Sequence, residues 1–200
     1  MFDAVLLPFQ RRLLRPVARA LVAGGVGADA ITLAGFAVGL AGVVFAASGW
    51  PLAALAALAG NRLADGLDGE VARMTRPTDR GAFLDIALDF LFYALFPLGF
   101  ALADPGANAL AAAALVVSFV GTGSSFLAFS LIAERRGMTS DDYPAKGIFY
   151  LGGLTEGAET IALFVLFCLL PSQFALLAWI FACACALTTL SRLLAGWRSF

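Results

Sequence analysis

Residues Asn61 to Asp89 read NRLADGLDGEVARMTRPTDRGAFLDIALD. This stretch puts many charges where the flanking chain is almost wholly apolar. At about 100° per residue, Asn61, Asp65, Asp68, Gly69, Ala72 and Arg73 fall within about a third of a helical turn, while Leu63, Leu67 and Val71 point elsewhere. Asp85 and Asp89, one turn apart, share a face with Gly81 on the following segment. A short polar connection containing Pro77 makes the two segments antiparallel neighbours. Asp65 lies about 21 Å along its segment from the outer end, and Asp85 and Asp89 about 6–12 Å from the inner end of theirs. The two pairs of carboxylates therefore reach a similar depth.

The depth is depth in a membrane. The chain is 200 residues long, 61% hydrophobic and only 14% charged, against about 45–50% and about 25% in soluble domains. Its mean hydropathy is +0.90. A helical span needs about 20 mostly apolar residues. Stretches 30–48, 52–75, 81–103, 108–133, 152–170 and 173–194 meet that description, separated by Gly49-Trp50-Pro51, Pro77, Asp104-Pro105-Gly106, the polar run from Glu134 to Lys146, and Pro171-Ser172. The expected fold is all-α and polytopic: six transmembrane helices in a catalytic domain, 30–200, preceded by an amphipathic surface helix within 1–29. In that N-terminal segment Arg11, Arg12, Arg15 and Arg19 recur at spacings of three and four among Leu, Val and Ala, unlike a cleavable signal.

Orientation follows from the basic residues. With both termini on one side, all thirteen Lys and Arg fall on that side or at span ends that meet it. The opposite loops, near 49–51, 104–107 and 171–172, hold none. Both termini and the aspartates are thus expected to face the cytoplasm, in a bacterial inner membrane. The formal net charge of −1 argues neither for nor against nucleic acid, and no nucleic-acid partner is expected. With no histidine in the chain, His-based triads, His–Zn sites and His general bases are excluded. Cys168, Cys183 and Cys185 sit in apolar runs, read as buried thiols and not as a disulfide framework.

A bare carboxylate in the membrane interior costs about 2.5–3.5 kcal/mol even on a lenient scale. Asp65, Asp68, Asp85 and Asp89 must therefore be protonated, paired with arginine or bound to cations. Arg62 and Arg73 could compensate two of them. Oxygen donors without His or Cys favour a hard cation, Mg²⁺ or Mn²⁺, over zinc. Four aspartates can hold two such ions, an arrangement suited to phosphoryl transfer. Gly66, Gly69 and Gly81 allow close approach of a ligand or of neighbouring backbone.

Asp65-x2-Asp68-Gly69-x2-Ala72-Arg73 followed by Gly81-x3-Asp85-x3-Asp89 resembles the signature of the CDP-alcohol phosphatidyltransferases, matching eight positions. The interval between Arg73 and Gly81 is one residue shorter than in many members, a difference confined to the polar turn around Pro77. Chain length, the six-span layout and the N-terminal helix fit the same family; SSFLAFSLIAERRG, near the end of the fourth span, fits it less specifically. The resemblance implies a donor such as CDP-diacylglycerol in a cytoplasm-facing cavity, an alcohol acceptor, release of CMP and a homodimer. It implies that Asp65, Asp68 and Asp85 ligate metal, with Asp89 near the ions as the general base. It further implies that Gly69, Ala72, Arg73 and Gly81 contact or make room for the nucleotide.

The acceptor is less legible. Glu156 and Glu159, with Thr155 and Thr160, could bind a polyol or amine, or simply cap a helix. Arg135, Arg136 and Lys146 could hold a phosphorylated acceptor or serve only as orientation signals. Two other readings of the carboxylates remain at this stage. One is a Mg²⁺-dependent intramembrane prenyltransferase, echoed by Asn61-x3-Asp65 and Asp85-x3-Asp89. The other is a cation-coupled transporter, although the acidic motif occurs once and no inverted repeat is evident.

Overall fold

Helix starts are written into the turns between the apolar runs. Thr78 caps one helix by accepting from the Gly81 backbone N–H at 3.0 Å, and Asp104 caps the next by accepting from Ala107 N–H at 3.1 Å. Pro51 and Pro105 occupy first-turn positions, where a missing N–H costs nothing. Gly49, at φ +74°, supplies the left-handed residue that closes the helix before Pro51.

A computed structural model describes residues 3–138 and 155–200, with side chains from residue 11 onward. The described chain is all helical: α1 (Asp3–Ala23), α2 (Ala28–Ala47), α3 (Pro51–Met74), α4 (Asp79–Ala103), α5 (Pro105–Arg135), α6 (Gly157–Leu169) and α7 (Phe174–Ser199), the last entered through a single 3₁₀ turn at Pro171–Gln173. Among the described residues, four segments are long and apolar enough to cross a membrane: Ala28–Ala47, Asp79–Ala103, Pro105–Arg135 and Pro171–Ser199. The protein is a membrane protein. The other two expected spans differ for separate reasons. Helix α3 has 24 residues, about 36 Å of helix, but its second half carries the charged motif and fails on hydropathy. Helix α6 has 13 described residues, and the part of the fifth span before it lies outside the described residues, as does Lys146.

Helix α2 packs against α3 and α4, α5 against α4 and α7, α6 against α3, and α1 against α3. The approach of α2 is set by glycine. A Cβ on Gly35 would lie 2.5 Å from the Ala64 Cβ, and one on Gly39 2.9 Å from the Phe92 ring. Such spacing lets helix backbones approach closely in lipid, where the hydrophobic effect does not drive helices together. On α1, Leu14 and Ala18 are buried while Arg11, Arg12, Arg15 and Arg19 are exposed.

An aromatic core fills the space among α4, α6 and α7. Phe96 stacks on Phe164 at 4.8 Å between centroids, Phe100 on Phe174 at 5.3 Å, and Phe167 meets Phe174 at 4.4 Å. Its leading ring, Phe92, is fully buried less than one turn beyond Asp89. Close-packed rings therefore fill α4's surroundings on the side of the aspartates away from the Asp79 end of the helix.

Candidate active site

Helices α3 and α4 bring the four aspartates together. Asp65, Asp68, Asp85 and Asp89 line one small cavity with Thr32, Gly35, Asn61 and Arg62. Its volume, about 20 Å³, holds one water-sized body or ion. Two anchors fix its walls. Thr32, on α2, donates to Asp68 Oδ2 at 2.6 Å. The buried Asn61 donates from Nδ2 to the Gly35 carbonyl at 2.9 Å, and its Oδ1 accepts from Arg62 Nε at 2.8 Å.

Arg62 is held by that contact and by its position over the Phe92 and Tyr93 rings, 5.4 and 5.8 Å from their centroids. From there it donates from Nη2 to Asp89 at 2.8 Å and lies 3.7 Å from Asp65. Arg62 thus compensates two carboxylates at once. Arg73, the other arginine expected to do so, instead pairs with Glu70 at 2.9 Å. Four aspartates share the single Arg62 guanidinium in a half-buried site, so any that ionise beyond the first add negative charge that the arginine leaves unbalanced.

As the side chains stand, no three carboxylates among the described residues converge closely enough to share one ion; the Arg62 guanidinium contacts Asp65 on α3 and Asp89 on α4. The donor set nonetheless suits a hard cation: every donor is an oxygen, the surplus charge is negative, and there is room for an ion.

Beside this cavity opens a larger cleft of about 580 Å³. Thr32, Asp68 and Asp85 belong to both. The cleft is lined further by Gly69, Ala72, Arg73 and Gly81, all four of the residues expected at the nucleotide. Asp29 and Arg80 latch its mouth, with Arg80 Nε donating to Asp29 Oδ2 at 2.7 Å. A Cβ on Gly69 would lie 3.3 Å from an Arg73 nitrogen, and one on Gly81 3.2 Å from Asp29 Oδ1. Larger residues at either position would crowd the wall.

The model of the CDP-alcohol phosphatidyltransferase family matches residues 26–190. The chain belongs to that family. The match decides against the prenyltransferase and transporter readings of the same carboxylates. The enzyme is 52% identical over 197 residues to the inner membrane protein YnjF of Escherichia coli, covering 98% of this chain and 96% of that one. It is 41% identical over 93 residues to archaetidylinositol phosphate synthase of Methanothermobacter thermautotrophicus, 46% of each chain. Its fold is similar to that of Mycobacterium tuberculosis phosphatidylinositol phosphate synthase solved with CDP-DAG bound, with a TM-score of 0.68 at 22% identity over 93% of this chain and 94% of that one. The same synthase in complex with manganese and citrate gives 0.67 at 22% identity over 92% and 88%.

Away from the aspartates, Glu156 and Glu159 form a capping box at the start of α6, with Glu159 accepting from the Glu156 backbone N–H at 3.1 Å. Arg192, counted in the sequence only as an orientation signal, is buried on α7 and donates to the Thr122 carbonyl at 2.9 Å. Sequence reasoning also missed Thr32 and Asp29, which line these cavities, and Glu70, which pairs with Arg73 behind the cleft wall. Asp29 and Thr32 are three residues apart at the start of an otherwise apolar helix, a signal that could have been read.

Proposed function

We propose that the enzyme transfers a phosphatidyl group from CDP-diacylglycerol, or a similar CDP-linked lipid, to an alcohol acceptor with release of CMP, in phospholipid biosynthesis. One observation carries the reading: the aspartate cavity and the nucleotide-sized cleft share Thr32, Asp68 and Asp85. A diphosphate lying in the cleft would meet the carboxylates at their common wall. The match to a family named for CDP-alcohols and the fold shared with a synthase solved with CDP-DAG support the choice of donor.

In this reading Gly69, Ala72 and Gly81 leave room for the cytidine diphosphate and Arg73 donates to it. Asp65, Asp68, Asp85 and Asp89 would hold Mg²⁺ or Mn²⁺, two ions by the charge to be balanced; bound there, they would neutralise the diphosphate and polarise its phosphorus. The synthase solved with manganese supports that choice of cation. Asp89 leaves Arg62 and accepts the proton of the acceptor hydroxyl. The acceptor oxygen then bonds to the lipid-linked phosphorus as the bond from that phosphorus to the CMP oxygen breaks.

The same reading makes residues 1–29 an amphipathic juxtamembrane element, with its arginines toward lipid headgroups, and 30–200 a six-helix catalytic domain. It puts both termini and the cleft on the cytoplasmic side of a bacterial inner membrane, as thirteen basic residues on one side support. The assembly is a homodimer, as family membership supports.

The test is CMP release by purified protein given CDP-diacylglycerol, Mg²⁺ or Mn²⁺ and a panel of acceptors: glycerol phosphate, inositol, inositol phosphate, serine and phospholipid. CMP formed with one acceptor and a matching lipid product is the expected result. No CMP with any of them sinks the reading.

A further inference from the structure

Glu70 is a buried carboxylate with no part in the eight-position motif. Its side chain is 8% exposed. It lines neither the aspartate cavity nor the cleft, yet it follows Gly69 directly in sequence. Two cations from two helices meet its Oε1: Arg73 Nη2 on α3 at 2.9 Å and Arg11 Nε on α1 at 4.0 Å. Arg73 does line the cleft, and its guanidinium lies against Gly69. Seen from the cleft, Glu70 therefore stands behind Arg73.

We infer that Glu70 is a positioning residue for donor binding, holding the Arg73 guanidinium flat against Gly69 and tying it, through Arg11, to helix α1. The inference rests on the reading of Arg73 as a contact of the CDP moiety. The physical case is conformational. An arginine side chain has many rotamers and loses much conformational freedom when fixed. The Arg73 side chain is 44% exposed, so an unpaired Arg73 would spend much of its time in solvent or among lipid headgroups. A bond from Nη2 to Glu70 uses one of five N–H donors and leaves the rest of the fork for a diphosphate. Pairing at i and i+3 on one helix lets this be done without help from the ligand. The contact of Arg11 with the same oxygen gives α1 a hand in the donor site, although α1 contributes no lining residue to it.

The experiment measures binding of CDP-diacylglycerol in nanodiscs, with Mn²⁺ present, to wild type, Arg73→Ala, Glu70→Ala, Glu70→Gln and the Arg73→Ala/Glu70→Ala double variant. Arg73→Ala is expected to weaken binding about tenfold or more, as for loss of a charge-assisted hydrogen bond. Glu70→Ala should weaken it by a similar factor, and Glu70→Gln, which still accepts a hydrogen bond, by less. In the Arg73→Ala background Glu70→Ala should add nothing, the non-additivity expected when one residue acts through the other. Should Glu70→Ala fail to fold, the Glu70→Gln measurement decides. Arg73→Ala weakening binding while both Glu70 variants stay within twofold of wild type would overturn the inference and leave the donor reading intact. Additive losses in the double variant would overturn it too. If Arg73→Ala binds as wild type does, it is the donor role of Arg73 that has failed.

Discussion

Arg62 and Asp89 join α3 to α4 at the aspartate cavity, Nη2 to Oδ1, at 2.8 Å. The arginine is held on its other side by Asn61, itself hydrogen-bonded to α2 through the Gly35 carbonyl. Three helices thus meet through one chain of hydrogen bonds, and the proposed base lies at its end. Loosening that chain should affect stability and chemistry differently.

Arg62→Ala removes the guanidinium that lies among the aspartates. With the Arg62 side chain 18% and that of Asp89 30% exposed, the cost without divalent cation should be about 2 kcal/mol, less than for a fully buried pair. For a chain of this size that is roughly 4–8 °C in Tm. Adding Mn²⁺ should raise the Tm of the variant by more than that of wild type, because the ion then balances charge that arginine no longer does. Equal gains in the two proteins would show that the carboxylates do not share that role. Thermal unfolding in detergent, with and without Mn²⁺, reads both quantities.

Asp89→Asn keeps the size of the side chain and a hydrogen-bond acceptor for Arg62 but cannot take up a proton. CMP release should fall about 100-fold or more, the usual contribution of a general base. Binding of CDP-diacylglycerol should change far less, because Asp89 lines the small cavity and not the cleft. Measured side by side, the two assays separate a base from a donor contact. A variant as active as wild type would remove Asp89 from the mechanism.

Chelation is the complementary test of the remaining carboxylates. EDTA should abolish CMP release and Mg²⁺ or Mn²⁺ should restore it. Asp65→Asn, Asp68→Asn and Asp85→Asn should each lose the stabilisation that the cation gives wild type, about 2.7 kcal/mol at 100-fold excess over Kd, read as a smaller Tm increase. Activity undiminished after exhaustive chelation would argue that arginines alone balance the diphosphate.

The grouping of the four aspartates was legible in the sequence, and the reason is physical. Carboxylates in lipid are expensive, so their spacing on two helices stood out against an apolar background, and Asp65, Asp68, Asp85 and Asp89 do line one cavity. Partner choice was less legible. The sequence offered Arg73 as a partner for one of the four aspartates, whereas it pairs with Glu70, one turn earlier on the same helix. The fold was readable to the same degree. Helix ends at Pro51, Thr78 and Asp104 followed local turn chemistry. The hydropathy of α3 did not, because the charged motif in its second half makes it too polar to stand out as a span.

Helix α2 offers a test that leaves every charged group in place. Gly35 faces Ala64, one residue before Asp65, and a Cβ there would lie 2.5 Å from the Ala64 Cβ. Both atoms belong to short, rigid side chains, so relief must come from separating α2 and α3. Thr32, about one turn earlier on α2, would then draw back from Asp68, to which it donates at 2.6 Å. Gly35→Ala should cost about 1–3 kcal/mol of stability, as overpacking does, and should lower CMP release as well. Gly60→Ala is the control, since a Cβ there meets a single Val38 methyl at 3.2 Å, and its effect on both measurements should be smaller. If Gly35→Ala loses stability but keeps full activity, the Thr32–Asp68 contact is structural and the acidic site does not depend on it. If it loses both, restoring room with an Ala64→Gly second change should recover both together, since the displacement of one helix would be their common cause.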